Sequence, residues 1–229
     1  MLQINKNIYA TLMKNTILYV GIDPSINSTG ITIINYNSKI VDIQFYIIKP
    51  NKLTKKESDI EKHIDNFSYV LYHKCDINDY KNDNHLYEYH KTCNMINIVT
   101  TIYDIISLYV KNNTNKFDSI NIVIEGISYG SSLRTKSIFD LSGLNYMIRY
   151  KFICDSILDI NTSITIATPS NIKKFITGKG NSSKDMITTM FKAIFPNMNK
   201  LPKLDDVADS YFMSYFALEL DKKNGTILK

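Results

Sequence analysis

Apolar residues first gather at 17–23, ILYVGID, a short run rich in β-branched side chains that Pro24 and a Ser/Asn/Gly cluster bring to a stop. The pattern predicts a buried strand followed by a turn. A second strand is predicted over Gly30 to Tyr36 and a third over Ile40 to Ile48, with Asn37-Ser38-Lys39 between them. Together they form an antiparallel meander that Pro50 ends. Residues 51–91 are polar, rich in Lys, Asp, Asn, Tyr and His, and carry no sustained period. They predict an insertion or a loosely helical excursion on the surface. From Asn94, the apolar positions Ile98, Ile102, Ile105, Ile106 and Tyr109 return at helical spacing as far as about Lys111.

Ser119 to Glu125 is nearly all apolar, which predicts a fourth, central strand. A small-residue loop follows at 126–132, then a helix over about 135–158 and a fifth strand from Ser163 to Ala167. Two helices flank the loop TGKGNSS at 177–183, with Ser182 or Ser183 as the N-cap of the second, and a last helix spans about Asp205 to Leu220. This order predicts an α/β fold. Its five-stranded mixed sheet has three antiparallel strands then two parallel ones, with helices on both faces.

Composition changes that picture little. A chain of 229 residues fits one domain carrying a polar insertion at about 51–91, and 44% hydrophobic with 21% charged residues excludes general disorder. No uninterrupted apolar run approaches the roughly 18 residues that span a bilayer, so no membrane partner is expected. The first twenty residues lack an apolar core with a small-residue cleavage site, and three cysteines form no even framework. An intracellular, reducing compartment is therefore expected. The net charge of +5 permits a nucleic-acid partner without requiring one. Heavy use of Ile, Asn, Lys and Tyr without Trp suits an AT-rich genome.

Four carboxylates add chemistry. Asp23 and Glu125 each close a buried apolar run, at the point where a rigid sheet gives way to a loop, and sites in α/β folds are commonly built there. Asp206 and Asp209, three apart in KLDDVADSYF, share one side of a helix. Strand-capping acids and an acidic first helical turn are also ordinary structural features, but Val207, Ala208, Tyr211 and Phe212 mark a packed helix, which suits Asp209 poorly as a solvated residue. If the four converge, their repulsion calls for hard cations with oxygen ligands, Mg²⁺ or Mn²⁺, and two such ions would serve phosphodiester hydrolysis. Lys173, Lys174, Lys179 and Lys184 surround Gly178 and Gly180, a loop whose backbone can approach phosphates closely.

The motifs GIDPSINSTGITII, VIEG, IKKFITGKGNSSK and DDVAD, in that order over about 17–220, resemble the RuvC family of Holliday-junction resolvases within the RNase H-like superfamily. KLDDVADS looks especially like the poxvirus members, so a viral or phage-infected cell is the expected setting. The resemblance implies metal-binding carboxylates at Asp23, Glu125, Asp206 and Asp209, with two Mg²⁺ or Mn²⁺ ions per site. It also implies Lys173 and Lys184 at the DNA and the scissile phosphate, Lys184 as a catalytic group, and Tyr129, Arg134 and Lys136 as further DNA contacts, Tyr129 stacking on an unpaired base. A homodimer paired through helix 135–158, with Leu141, Leu144 and Ile148 as interface residues, would place two active sites on a four-way junction. The expected function is a structure-specific endonuclease that resolves junctions by paired symmetric nicks. The alternatives are another RNase H-like nuclease, transposase-like or hybrid-cleaving, a sugar-kinase or chaperone-type ATPase domain, and a non-catalytic junction binder. All four histidines and Cys75 and Cys93 fall between 63 and 93, but His73-x-Cys75 and His90-x-x-Cys93 miss the usual zinc spacings, and exposed, unliganded residues are expected.

Overall fold

A computed structural model describes residues 16–113, 116–127 and 135–225. Its centre is one six-stranded sheet: β1 (Thr16–Asp23), β2 (Thr29–Asn37), β3 (Ile40–Pro50), β4 (Phe67–Tyr72), β5 (Ser119–Glu125) and β6 (Asn161–Ala167), in the order β4-β3-β2-β1-β5-β6. The meander β1–β3 is antiparallel, β5 and β6 run parallel to β1, and β4 runs parallel to β3. Three antiparallel strands followed by two parallel ones, β1–β3 then β5 and β6, are the mixed α/β arrangement expected from the sequence. The count of five is corrected to six. The extra strand comes from the segment read as a surface excursion. Phe67 and Tyr69 turn into the core in alternation, so FSYVLY pairs along β3 and becomes the sheet edge.

The rest of that segment is also ordered. Helix α1 (Lys55–Glu61) starts on a reciprocal cap: Thr54 accepts from the Glu57 amide, while Glu57 reaches back to the Thr54 amide. Lys49 on β3 donates to both Glu57 oxygens at 2.6 Å, fastening the helix to the strand. Helix α2 (Asn84–Asn112) begins ten residues before the expected Asn94, its first turns capped by Asp83. By length and composition α2 could cross a bilayer, yet half of its most apolar window is buried within the protein, with Ile98, Ile102 and Ile106 at 1% exposure or less. It is a core helix of the sheet.

Helices α3 (Thr135–Cys154), α4 (Pro169–Thr177), α5 (Lys184–Ile194) and α6 (Leu204–Asn224) complete the chain. Strand parity divides the core in two. Leu18, Val20 and Ile22 of β1 and Ile120, Ile122 and Ile124 of β5 face α2 and α3. Ile17 and Tyr19 of β1 and Val123 of β5 face α4, α5 and α6. Asp23 and Glu125 continue the second series, so both carboxylates are directed to the α6 side of the sheet.

Helix α6 lies unusually close to β1 and β2. A Cβ built on Gly21 would sit 1.9 Å from the Ser210 carbonyl oxygen, and one on Gly30 would sit 2.2 Å from that of Asp206. Two glycines on the sheet and Ser210 and Ser214 on the helix thus let backbone meet backbone. A hydrogen bond of 2.8 Å between Thr32 and Ser210 hydroxyls crosses the seam. At its far end, Asp221 accepts from the Tyr19 hydroxyl and the Asn121 amide, tying α6 to β1 and β5.

Candidate active site

The carboxylates are assembled by three elements. The parallel neighbours β1 and β5 end side by side, with Ile22 opposite Ile124, which places Asp23 and Glu125 at adjacent strand ends. The Gly30 contact brings the first turn of α6, with Asp206, against β2 directly opposite Asp23. One more helical turn brings Asp209 over the same end of the sheet. Asp23, Glu125, Asp209, Lys173 and Lys184 line a single pocket of about 230 Å³, closed on its apolar side by Ile172, Ile176, Ile187 and Met213.

Electrostatics follow from burial. Asp23 is held well above the ordinary carboxylate range, first by burial and then by Glu125, Asp209 and Asp206. Asp23 and Glu125 also interact directly, an effect that raises Asp23 and lowers Glu125. Glu125 is also raised by burial, with Asp23, Lys184 and Lys173 acting against it. Asp209 is pushed up by burial to about 7, although Lys184 pulls the other way. Asp206 is raised by burial and partly relieved by the buried Ser28 hydroxyl, which donates to its Oδ2.

Lys184 is the cation among these acids. Its Nζ lies 2.8 Å from Asp205 and 3.8 Å from Asp209. Burial would lower it, but Asp205, Asp209 and Asp23 outweigh burial and raise it. Asp205, missed in the sequence reading, is held below its ordinary range because the Lys184 hydrogen bond overcomes burial. Its partner sits on a different helix, twenty-one residues earlier, so no local spacing announces the pair. Ser28 was missed for the same reason.

Of the other expected DNA-binding residues, Lys173 enters the pocket, while Lys174 and Lys179 stand exposed beside it. The loop that carries Lys179 is cross-linked: the Thr177 hydroxyl donates to the Lys173 and Lys179 carbonyls and meets the Ser182 hydroxyl, and Gly178 caps α4 at φ 78°. Ser183 is the N-cap of α5. Tyr129 and Arg134 lie outside the described residues, as does the side chain of Lys136. The expected interface residues Leu144 and Ile148 are corrected: both are fully buried against the sheet. In the polar segment, His90 stacks on Tyr80 with ring centroids 4.2 Å apart, and Asn94 exchanges hydrogen bonds with the Cys75 backbone.

The donor set suits hard divalent cations. It offers carboxylate oxygen alone, held in mutual repulsion that Lys184 and Lys173 partly offset. Among the described residues no three Asp, Glu, His or Cys side chains are drawn into a metal-ready group. Asp23 and Glu125 crowd each other and Asp209 leans on Lys184, so a cation would relieve the first pair and replace the lysine in the second.

A mixed α/β sheet with acids at two strand ends and on the last helix is the frame of the site. No family model matches the chain, and no curated protein matches it in sequence. Among solved structures it is similar to Thermus thermophilus RuvC (11% identity, TM-score 0.45, covering 92% of this chain and 97% of that one). It is also similar to T. thermophilus RuvC in complex with Holliday junction substrate (8% identity, TM-score 0.47, 93% and 97%). A third is the yeast mitochondrial Holliday junction resolvase Ydc2 (13% identity, TM-score 0.42, 88% of this chain and 76% of that one).

Proposed function

We propose that the protein is a metal-dependent, structure-specific DNA endonuclease that resolves four-way junctions by paired symmetric nicks. The observation that carries this reading is the single pocket in which buried Asp23, Glu125 and Asp209 meet Lys173 and Lys184. Asp23, Glu125, Asp206 and Asp209 would hold two Mg²⁺ or Mn²⁺ ions, which when bound supply an activated water and charge for the leaving oxygen. Lys184 and Lys173 orient the scissile phosphate. Ser28 fixes the rotamer of Asp206, and Asp205 restrains Lys184 above the pocket. The apolar wall limits water to the side from which DNA arrives.

The test is a nicking assay on a synthetic four-way junction, beside a replication fork and an RNA–DNA hybrid. Paired nicks at symmetry-related positions with Mg²⁺ or Mn²⁺, and none with chelator, are expected. Cleavage in chelator, or equal cleavage of the hybrid, defeats the reading.

Paired nicking calls for two sites, and α3 supplies a surface for a second copy. Phe139, Tyr146, Tyr150 and Ile153 are 64–74% exposed and, with Gly143, follow a 4-3-4-3 spacing along one face. Within the chain, a Cβ at Gly143 would meet only Met95 Sδ at 3.9 Å, so the monomer has no packing need for a mid-helix glycine that costs ~1 kcal/mol. Close approach of a partner helix is such a need. Tyr150→Glu with Ile153→Glu is expected to convert a dimer into a monomer in sedimentation analysis while leaving the fold intact. An unchanged mass would remove α3 as the interface.

A further inference from the structure

The added segment builds a groove on the same face as the pocket. Lys55 and Lys56 on one wall and Asn197, Asn199 and Lys200 on the other enclose about 1290 Å³ between α1 and the turn before α6. All five are exposed, and among the described residues none of the three lysines has an acidic partner. The one acid on the groove, Asp59, lies 4.0 Å from Lys62. Among the described residues, the groove therefore carries a net positive charge that Asp59 offsets only in part.

Its position follows from register. Asp23 is paired with Gly30, Gly30 with Ile47, and Ile47 with Tyr69, so β4 lies three strand spacings, about 14 Å, from the catalytic strand end. Ile60 and Ile64 of the α1 wall pack into the core layer under α5 and α6, which places the groove on the face that bears Asp23. Lys200 is five residues before Asp205, at most about 18 Å away. That is roughly half a turn of B-form DNA.

We propose that this groove binds the phosphate backbone of the duplex arm whose scissile phosphate occupies the pocket; the proposal rests on the nuclease reading of that pocket. Lysine ammonium groups and asparagine amides, with the His63 imidazole as the one ring and no arginine among the lining residues, suit phosphates rather than base edges or stacked bases. The segment thus extends the DNA track from one phosphate to half a helical turn.

The test compares the wild type with the triple variant Lys55→Gln, Lys56→Gln, Lys200→Gln in salt-dependent binding to a four-way junction with long and with shortened arms. At about 0.9 counterions per phosphate contact, the variant's log–log salt slope is expected to fall by about 2–3 and its affinity to drop roughly tenfold at 0.15 M salt. With arms cut to about five base pairs the two proteins should bind alike, and nicking at saturating junction should be unchanged. A salt slope indistinguishable from wild type on long arms overturns the groove. Wild-type nicking reports on the pocket separately: a protein that shows the slope difference but never nicks keeps the groove and loses the nuclease reading. Matching thermal melts exclude misfolding, and the positions are exposed.

Discussion

Asp23→Asn is expected to lower junction nicking at least ~10³-fold, about 4 kcal/mol of barrier, with junction binding retained. Asn keeps the shape but removes a negative donor from the centre of the cluster, where Glu125, Asp209 and Asp206 all act on it. The same substitution should raise the melting temperature of the cation-free protein near pH 7, because it removes a buried carboxyl that must take up a proton when the chain folds. The pH dependence fixes the sign. Asp209 is raised from 3.8 to about 7, so between those values the folded state binds more protons than the unfolded chain. Its contribution is fully present below about pH 4 and is lost as pH rises through about 7, roughly 4 kcal/mol at most. Thermal melts in chelator should therefore show stability falling over this window, less steeply in Asp209→Asn, and divalent cation should restore it. A wild-type rate in Asp23→Asn would remove Asp23 from the chemistry. Melts that rise from pH 4 to 7 in both proteins would show that the carboxylates are not crowded as described.

Gly21→Ala is expected to produce the largest loss of stability from a single methyl group, about 3 kcal/mol or more and on the order of 10 °C in Tm. The added Cβ meets the Ser210 carbonyl oxygen at 1.9 Å and the Ser214 amide nitrogen at 2.7 Å. These are backbone atoms of a buried helix and cannot rotate away, so α6 must retreat from β1. Asp206 and Asp209 ride on α6, so nicking per folded molecule should fall as well. Chemical denaturation together with single-turnover nicking checks both effects. A variant with wild-type midpoint and rate would mean that the seam is looser than its atoms imply.

The sequence made the strand ends legible because a buried strand shows both its apolar run and its interruption. Asp23 and Glu125 follow such runs, and the parity that turns them toward α6 is fixed by Tyr19 and Val123. Asp206 and Asp209 could be placed together from helical spacing alone. The added strand was hidden by its surroundings: FSYVLY does alternate, but it lies in the largely polar segment 51–91, and its hydrophobic half is completed only by β3 and α1. Thr54-Lys-Lys-Glu57 carried a capping signal that would have announced α1. The early turns of α2 gave no period because they project beyond the sheet into solvent. On α3 the apolar residues encircle the helix, and only docking on the sheet decides that Leu144 and Ile148 go inward while Tyr146, Tyr150 and Ile153 stay outside. Lys184 with Asp205 and Ser28 with Asp206 are contacts between distant segments, beyond the reach of any local pattern.

On the sheet side of α3, Asn145 has no solvent exposure, donates to the Glu125 carbonyl at 2.7 Å, and accepts from Arg149, whose guanidinium lies 4.5 Å from the Tyr146 ring. The exposed aromatic stripe and the strand end that carries Glu125 are therefore joined through Arg149 and one buried amide. The stripe thus has a short route of contacts to the residue that carries the Glu125 carboxylate, and no loop lies on that route.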